Sequence, residues 1–521
     1  MSARRVPILL STALMPIACG RYSPDDTEIA LRDTSDSNVS VAETDLDTDV
    51  PDDTYRQETA TDSIPTGDSG DSDYVELEGE FFECGEWSTK AAPNGHILMR
   101  DADLVLEYDW QGSVKGASWA DTDGDGCSEV LLTTSYSTGS ADNYHVHLPG
   151  TLAETVNIEE RATSFIQGGD QHLMLSSDIG DLDGNGIEDD WVIGAQGSIF
   201  SPDNFTGAVY LYHEPLARQL DEDAADTTIW PPTDARGFCE ALDVGTNAGM
   251  VPGAIAIGGH FGQDDAGRVV VLEGPFDEDI SADEAVFSAE GTGWGGGAFG
   301  SSLSFDGDLN GDGFDDLVPT AYEHDGYRGA VYVFYGPTSG TYSAEEADRV
   351  LLGEEYLMQT GHGISGGADA NGDGYDDLLI GSPGEYYGAV YLVLGPVDDG
   401  EELGESGAVF QGDGQLGLHA VSISQDMDAD GFADLAMASS GSREYSDDPN
   451  GAAFLFYGPV TGTHEVGQAD AIIYEEDTNS LLGEVGGFVV GLGDTDGDGF
   501  DDLMVGMYGN GPPSVFRGGP R

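Results

Sequence analysis

The stretch Asp369-Ala-Asn-Gly-Asp-Gly-Tyr-Asp-Asp377-Leu-Leu-Ile-Gly381 sets side-chain oxygens on alternate positions of a nine-residue loop and follows them with an apolar run. Positions one, three, five and nine (Asp369, Asn371, Asp373 and Asp377) each offer a carboxylate or amide oxygen, and position seven, Tyr375, can add its backbone carbonyl. Glycine at position six permits a sharp turn. Such an oxygen cage suits Ca2+, a hard cation that takes flexible oxygen ligation at about 2.3–2.6 Å.

The pattern D-x-[DN]-x-[DN]-G-x-x-[DE] occurs six times. The other sets of positions one, three, five, seven and nine are Asp121, Asp123, Asp125, Cys127 and Glu129; Asp181, Asp183, Asn185, Ile187 and Asp189; Asp308, Asn310, Asp312, Phe314 and Asp316; Asp426, Asp428, Asp430, Phe432 and Asp434; and Asp494, Asp496, Asp498, Phe500 and Asp502. An EF-hand would need a glutamate at position twelve and flanking helices. Position twelve is Leu132, Val192, Pro319, Ile380, Met437 and Val505, and the flanks have strand composition. Position nine must therefore close each cage. The alternative is an Asp-Gly turn without metal, disfavoured because unneutralised carboxylates repel at short range. A cage repeated at one place in each unit argues for a structural ion, since a catalytic ion would be singular and keep an open position.

About twenty residues after these loops come β-rich runs: Gly207-Ala-Val-Tyr-Leu-Tyr, Gly267-Arg-Val-Val-Val-Leu, Gly329-Ala-Val-Tyr-Val-Phe, Gly388-Ala-Val-Tyr-Leu-Val and Gly451-Ala-Ala-Phe-Leu-Phe. Several close on Gly-Pro, at 274–275, 336–337, 395–396 and 458–459. One unit thus reads strand, oxygen-rich loop, strand, turn, strand, linker, strand: a four-stranded antiparallel blade. A further unit, in phase at Asp243-Val-Gly-Thr-Asn-Ala-Gly and followed by Ala254-Ile-Ala-Ile-Gly-Gly, lacks the ligands. Seven units result, starting at 121, 181, 243, 308, 369, 426 and 494. The last ends after a third strand, Ser514-Val-Phe-Arg-Gly-Gly-Pro, while the strand-like run Leu104-Val-Leu-Glu-Tyr-Asp precedes the first. The sequence predicts that Leu104-Val-Leu-Glu-Tyr-Asp completes the last blade and closes a ring, which removes exposed sheet edges.

With Phe299-Gly300 and the Gly-Ala-Pro-like Gly381-Ser382-Pro383 and Gly194-Ala195-Gln196, the chain resembles the FG-GAP repeat family, the seven-bladed propeller of integrin α-subunit heads and many bacterial surface proteins. The resemblance spans roughly residues 95–521. It implies an all-β, seven-bladed β-propeller and the same calcium ligands, with position nine closing each loop; it does not fix a function, because propellers host many tasks.

Length alone, 521 residues, would suggest about three domains, and the repeat overrules that. The formal charge is −82, with lysine only at Lys90 and Lys115, which excludes nucleic acid as a partner because phosphate contacts need clustered Lys and Arg. The loops supply 21 carboxylates at positions one, three, five and nine, so most of the acid lies elsewhere, on surface and tail.

Arg4 and Arg5 precede the short apolar run Val6–Ala18, the pattern of an export signal over 1–18. Ala18-Cys19-Gly20 resembles a bacterial lipobox with Cys19 as the lipidated residue, although Pro16 stands where that motif prefers Leu. The alternative is ordinary cleavage near Ala18 without lipid. Residues 19–80 are Asp, Ser, Thr, Glu, Gly and Pro with few large apolar groups, which predicts a disordered acidic tether. Residues 81–94 form a transition and 95–521 the propeller. Export would allow one disulfide among Cys84, Cys127 and Cys239; Cys84 with Cys127 is one pairing, and the sequence leaves the choice open.

Gly363-Ile-Ser365-Gly-Gly367 fits the G-x-S-x-G elbow, but Ser365 aligns with Ser304 on a repeated strand and no strand-to-helix turn follows. His145 and His147 share one face of a strand, where surface histidines are the ordinary reading and a transition metal the sharper one. No catalytic residue is assigned. The expectation is a monomeric, calcium-binding, outer-membrane lipoprotein that reaches the membrane only through Cys19 and binds a protein or glycan. Rivals are a propeller-scaffold hydrolase acting on glycans or phospholipids, and a purely structural envelope protein.

Overall fold

Strands that must bury both faces read as continuous apolar runs, and Leu378-Leu-Ile, Val390-Tyr-Leu-Val and Ala453-Phe-Leu are such runs, fully buried. The computed structural model describes residues 91–521 apart from 109–111, 137–143, 149–155, 169–172, 197–206, 214–215, 217–218, 233–236, 246–252, 260–265, 277, 293–297, 385–386, 398–402, 404–406, 414–415, 440–450, 476–483 and 509–510. The signal, Cys19, the acidic segment and Cys84 lie outside the described residues. Those described belong to one unit, Glu78–Arg521.

The strands form seven sheets, the blades of a β-propeller. In blade 5 the antiparallel order is Ile364–Ala368, Asp377–Ser382, Tyr387–Val393 and Ala408–Asp413. The first strands of blades 1 to 7 are Gly112–Ala120, Leu173–Gly180, Ala241–Gly245, Leu303–Gly307, Ile364–Ala368, Leu416–Gln425 and Glu484–Gly491. Each lies against the next, and the last against the first, so the ring closes. Seven apolar clusters lie between neighbouring blades. One joins blade 7 to blade 1 through Leu106, Val130, Leu132, Val146 and Met504.

Closure follows the sequence expectation. Leu104–Glu107 pairs antiparallel with Ser514–Phe516, with Leu104 opposite Val515, as the fourth strand of blade 7. Among the described residues, the structure adds a fifth, parallel strand to six of the blades. It comes from the linker between third and fourth strands of the following blade. Gly462–Glu465 lies on Ala408–Asp413, and Gly95–Leu98 lies on Ala471–Tyr474. A short 3-10 turn (an α-helical one, Ile158–Arg161, after Val156–Asn157) then returns the chain, and capping boxes at Ser343/Glu346 and Glu465/Gln468 set the start of two of them. The extra strand covers the outer edge that a four-stranded blade would leave open. It is three residues long in blade 1 and two in blade 2, too short for an alternation pattern to reveal.

Blade 3 needs a correction of phase. Asp243 lies inside the first strand, Ala241–Gly245, rather than at the head of a loop. Its carboxylate accepts the Phe305 N–H of blade 4 at 2.6 Å, so it is part of the inner ring of blade-to-blade hydrogen bonds.

Candidate metal centres

The loops are folded by their own backbone. In blade 5, Asp369 accepts N–H bonds from Asn371 and Gly372 at one oxygen and from Gly374 at the other, at 3.1, 2.6 and 2.7 Å. In blade 4, Asp308 does the same with Gly311, Asp312 and Gly313. Position five then accepts from position seven, as in Asp373 with Tyr375 N–H at 3.1 Å. Position four must be small: Gly311 and Gly372 have φ of +74° and +80°, and a side chain there would meet the rings of Tyr375 and Phe432, which lie over them from the next blade. Only blade 6 departs, with Ala429 at φ +53°.

Position nine is the deepest residue of the cage. One oxygen of Asp377 accepts the Ala370 N–H at 2.9 Å, and the other accepts Gly395 N–H at 2.9 Å, from the Gly-Pro that ends the third strand. Asp316, with Leu309 and Gly336, and Asp434, with Met427 and Gly458, repeat the arrangement. Asp502 accepts from Thr495 and Gly518. The carboxylate therefore joins first, second and third strands of its blade. Loops are also joined to one another: Asp308 N–H donates to Asp376 at 2.8 Å, and Asp426 N–H donates to Asp501 at 2.8 Å.

Blade 2 differs. Asp190, not Asp189, takes the buried place, accepting N–H bonds from Leu182 at 2.6 Å and Asp183 at 2.8 Å. Asp189 instead accepts from the Asn185 amide at 3.2 Å. Two adjacent aspartates made the register ambiguous in sequence, and burial decides it. The other oxygen of Asp190 lies 2.5 Å from Nδ1 of His213, which stands in for the Gly-Pro glycine of other blades.

These donor sets fit a hard cation. Groups of acidic side chains converge at Asp121, Asp123 and Glu129; at Asp183 and Asp190 with His213; at Asp426, Asp428 and Asp434; and at Asp494, Asp496 and Asp498, each within 4.8 Å. Oδ1 of Asp121 is buried with no hydrogen-bond partner. In blades 4 and 5 position three is an amide, Asn310 or Asn371. The ligands at position seven, Cys127, Ile187, Phe314, Tyr375, Phe432 and Phe500, would contribute carbonyls; their side chains do other work, as Tyr375 and Phe432 show.

Burial, reinforced by neighbouring carboxylates, pushes Asp316 and Asp377 up to about 7, and Asp434 and Asp502 up to about 8. Held this way, the groups bind protons more tightly folded than unfolded. Their contribution to metal-free stability is complete below the ordinary 3.8 and is lost as pH rises through about 7 to 8. His145 and His147 act in the opposite sense. Burial pushes both down to about 3, so their contribution is complete above 6.5 and is lost only below it. Between about pH 6.5 and 8.5 the carboxylates thus dominate. The melting temperature of EDTA-treated protein is expected to fall across that window, and excess calcium should flatten the slope; a metal-free melt that rises would contradict this.

The remaining sequence candidates are structural. Ser365 Oγ accepts the Ile423 N–H of blade 6 at 3.3 Å. His145 and His147 are not surface residues: both are buried, with Nδ1 near the hydroxyls of Thr133 and Thr163 at 3.3 and 2.6 Å, and His147 meets Trp191 edge to face. Their strand is covered by blade 2, which alternation alone could not show. Cys127 is disulfide-bonded, whereas Cys239 is a buried free thiol pushed up to about 12 by burial. No helix among the described residues is long and apolar enough to cross a membrane.

The FG-GAP repeat family matches residues 299–334 and 360–393, the heart of blades 4 and 5. The chain is 28% identical over 227 residues to integrin alpha-PS2 of Drosophila melanogaster, covering 41% of this chain and 15% of that one. It is 26% identical over 225 residues to integrin alpha-V of Gallus gallus, covering 41% and 20%. It is 34% identical over 105 residues to integrin alpha-X of Homo sapiens, covering 20% and 9%. The matched regions are therefore at most a fifth of the relatives' own lengths. Repeat, blade and loop agree: the chain carries FG-GAP repeats in a β-propeller and is similar over those blades to integrin alpha chains.

Proposed function

We propose that the protein is a calcium-stabilised interaction module of the cell envelope. In this reading a lipid on Cys19 anchors it, residues 19–80 tether it, and the propeller binds a protein or glycan. The observation that carries the reading is the position of the six loops. All join first to second strands, at one end of the blades, where their carboxylates tie strand to strand and loop to loop. Calcium there would be structural. The number of residues between second and third strands varies, four between Ser382 and Tyr387 in blade 5 against twelve between Ser439 and Ala452 in blade 6, as expected where specificity varies on a constant frame.

The test is binding of purified propeller to a glycan array and to defined envelope or host-surface proteins, with calcium and with EDTA. A ligand bound only in calcium supports the reading. Hydrolysis of glycan or phospholipid substrates by the same preparation would overturn it in favour of an enzyme. For the anchor, metabolic labelling with a fatty-acid analogue should mark the wild type and not Cys19→Ser.

A further inference from the structure

Cations are scarce in this chain, 17 Lys and Arg against 99 acidic residues, yet two arginines lie against metal loops. Beyond the last strand the chain runs Arg517-Gly-Gly-Pro-Arg521. The Arg517 N–H donates to Asp103 at 3.0 Å, Gly518 N–H to Asp502 at 3.0 Å and Gly519 N–H to the Met427 carbonyl at 2.7 Å. These bonds carry the segment from blade 7 across to blade 6. There the Arg521 guanidinium pairs with Asp428 through Nε and with Asp430 through Nη2, the latter at 2.8 Å, and lies over the Tyr457 ring at 4.9 Å.

Asp428 and Asp430 are positions three and five of the blade 6 loop. Their Oδ1 atoms accept the N–H groups of Asp430 and Phe432, which leaves the Oδ2 atoms for a cation, and Arg521 takes both. In blade 5, Asp373 Oδ1 is used in the same way, by Tyr375 N–H. Among the described residues, no arginine or lysine pairs with position three or five of the loops in blades 1, 2, 4 and 5. Arg517 meets Asp496, position three of blade 7, at 3.0 Å, but both side chains are buried and the backbone of Arg517 is pinned. The Arg521 side chain is 41% exposed and has water to move into.

We infer that Arg521 is a tethered counter-cation that competes with a divalent ion for the blade 6 loop. The loop holds either the guanidinium or the ion, so loading it lifts Arg521 off Asp428 and Asp430 and frees that end of the segment. Tethering keeps the local guanidinium concentration high, which makes blade 6 weaker and more exchangeable than the loops of blades 1, 2, 4 and 5, where no described arginine or lysine competes at positions three and five. The inference rests on the calcium reading above and adds a ranking of the loops to it.

The experiment is calcium titration calorimetry on the metal-stripped full chain. Arg521→Gln should tighten one site by about three- to tenfold and leave the others unchanged, with the gain shrinking at high salt. Arg521→Lys, which keeps the charge, should stay near wild type. Asp430→Asn added to Arg521→Gln should remove the gain and so locate it in blade 6. If wild type and Arg521→Gln bind calcium identically, the competition is wrong and the calcium reading stands. If neither binds calcium, both are wrong.

Discussion

Excess EDTA should lower the melting temperature by about 10–20 °C. An ion present at a hundred times its dissociation constant stabilises the folded state by about 2.7 kcal/mol, and six such sites would together exceed about 10 kcal/mol. For a propeller of this size the unfolding entropy converts each kcal/mol to about 1 °C. The effect should appear as a loss of the whole fold. Asp377 and Asp434 each tie three strands of a blade, and the Asp308–Asp376 and Asp426–Asp501 bonds link loop to loop around the ring. Calorimetry with and without chelator measures it, and coincident melts would contradict it.

The second large effect is expected at the closing strand. Leu106→Asp should abolish cooperative folding, and Leu106→Ala should cost about 2–5 kcal/mol. Leu106 is fully buried in the cluster between blades 7 and 1, and its N–H donates to the Pro513 carbonyl at 3.0 Å. An unpaired carboxylate at that position has no partner and no water. Because Leu104–Glu107 and Ser514–Phe516 come from opposite ends of the propeller, the substitution attacks ring closure itself. Chemical denaturation of both variants checks the pair; a Leu106→Ala transition at the wild-type midpoint would show that this strand does not close the ring.

The fold was legible because one constraint repeated. Alternate oxygens with glycine at position six can be read without neighbours, and their spacing exposed the blades and the missing strand of blade 7. What stayed hidden depends on contacts between blades. The fifth strands are two to four residues long and pair with another blade, so no local period marks them. Asp190 could not be told from Asp189 by pattern, since only burial against His213 and the Leu182 N–H separates them. The aromatic residues at position seven in blades 5 and 6, Tyr375 and Phe432, were a visible signal for loop-to-loop stacking. Glycine at position four, which receives Tyr375 and Phe432, was its counterpart. Arg521 gave no signal at all, because its partners are 91 and 93 residues away in sequence.

The most direct measurement is a crystal structure of the propeller grown in millimolar calcium, with ions located by anomalous scattering. The expected result is calcium in the loops that begin at Asp121, Asp181, Asp308, Asp369, Asp426 and Asp494, bound through the carboxylates at positions one and nine (Asp190 in blade 2), and none in blade 3. Well-ordered loops with the same hydrogen bonds and no ion in any of them would contradict it.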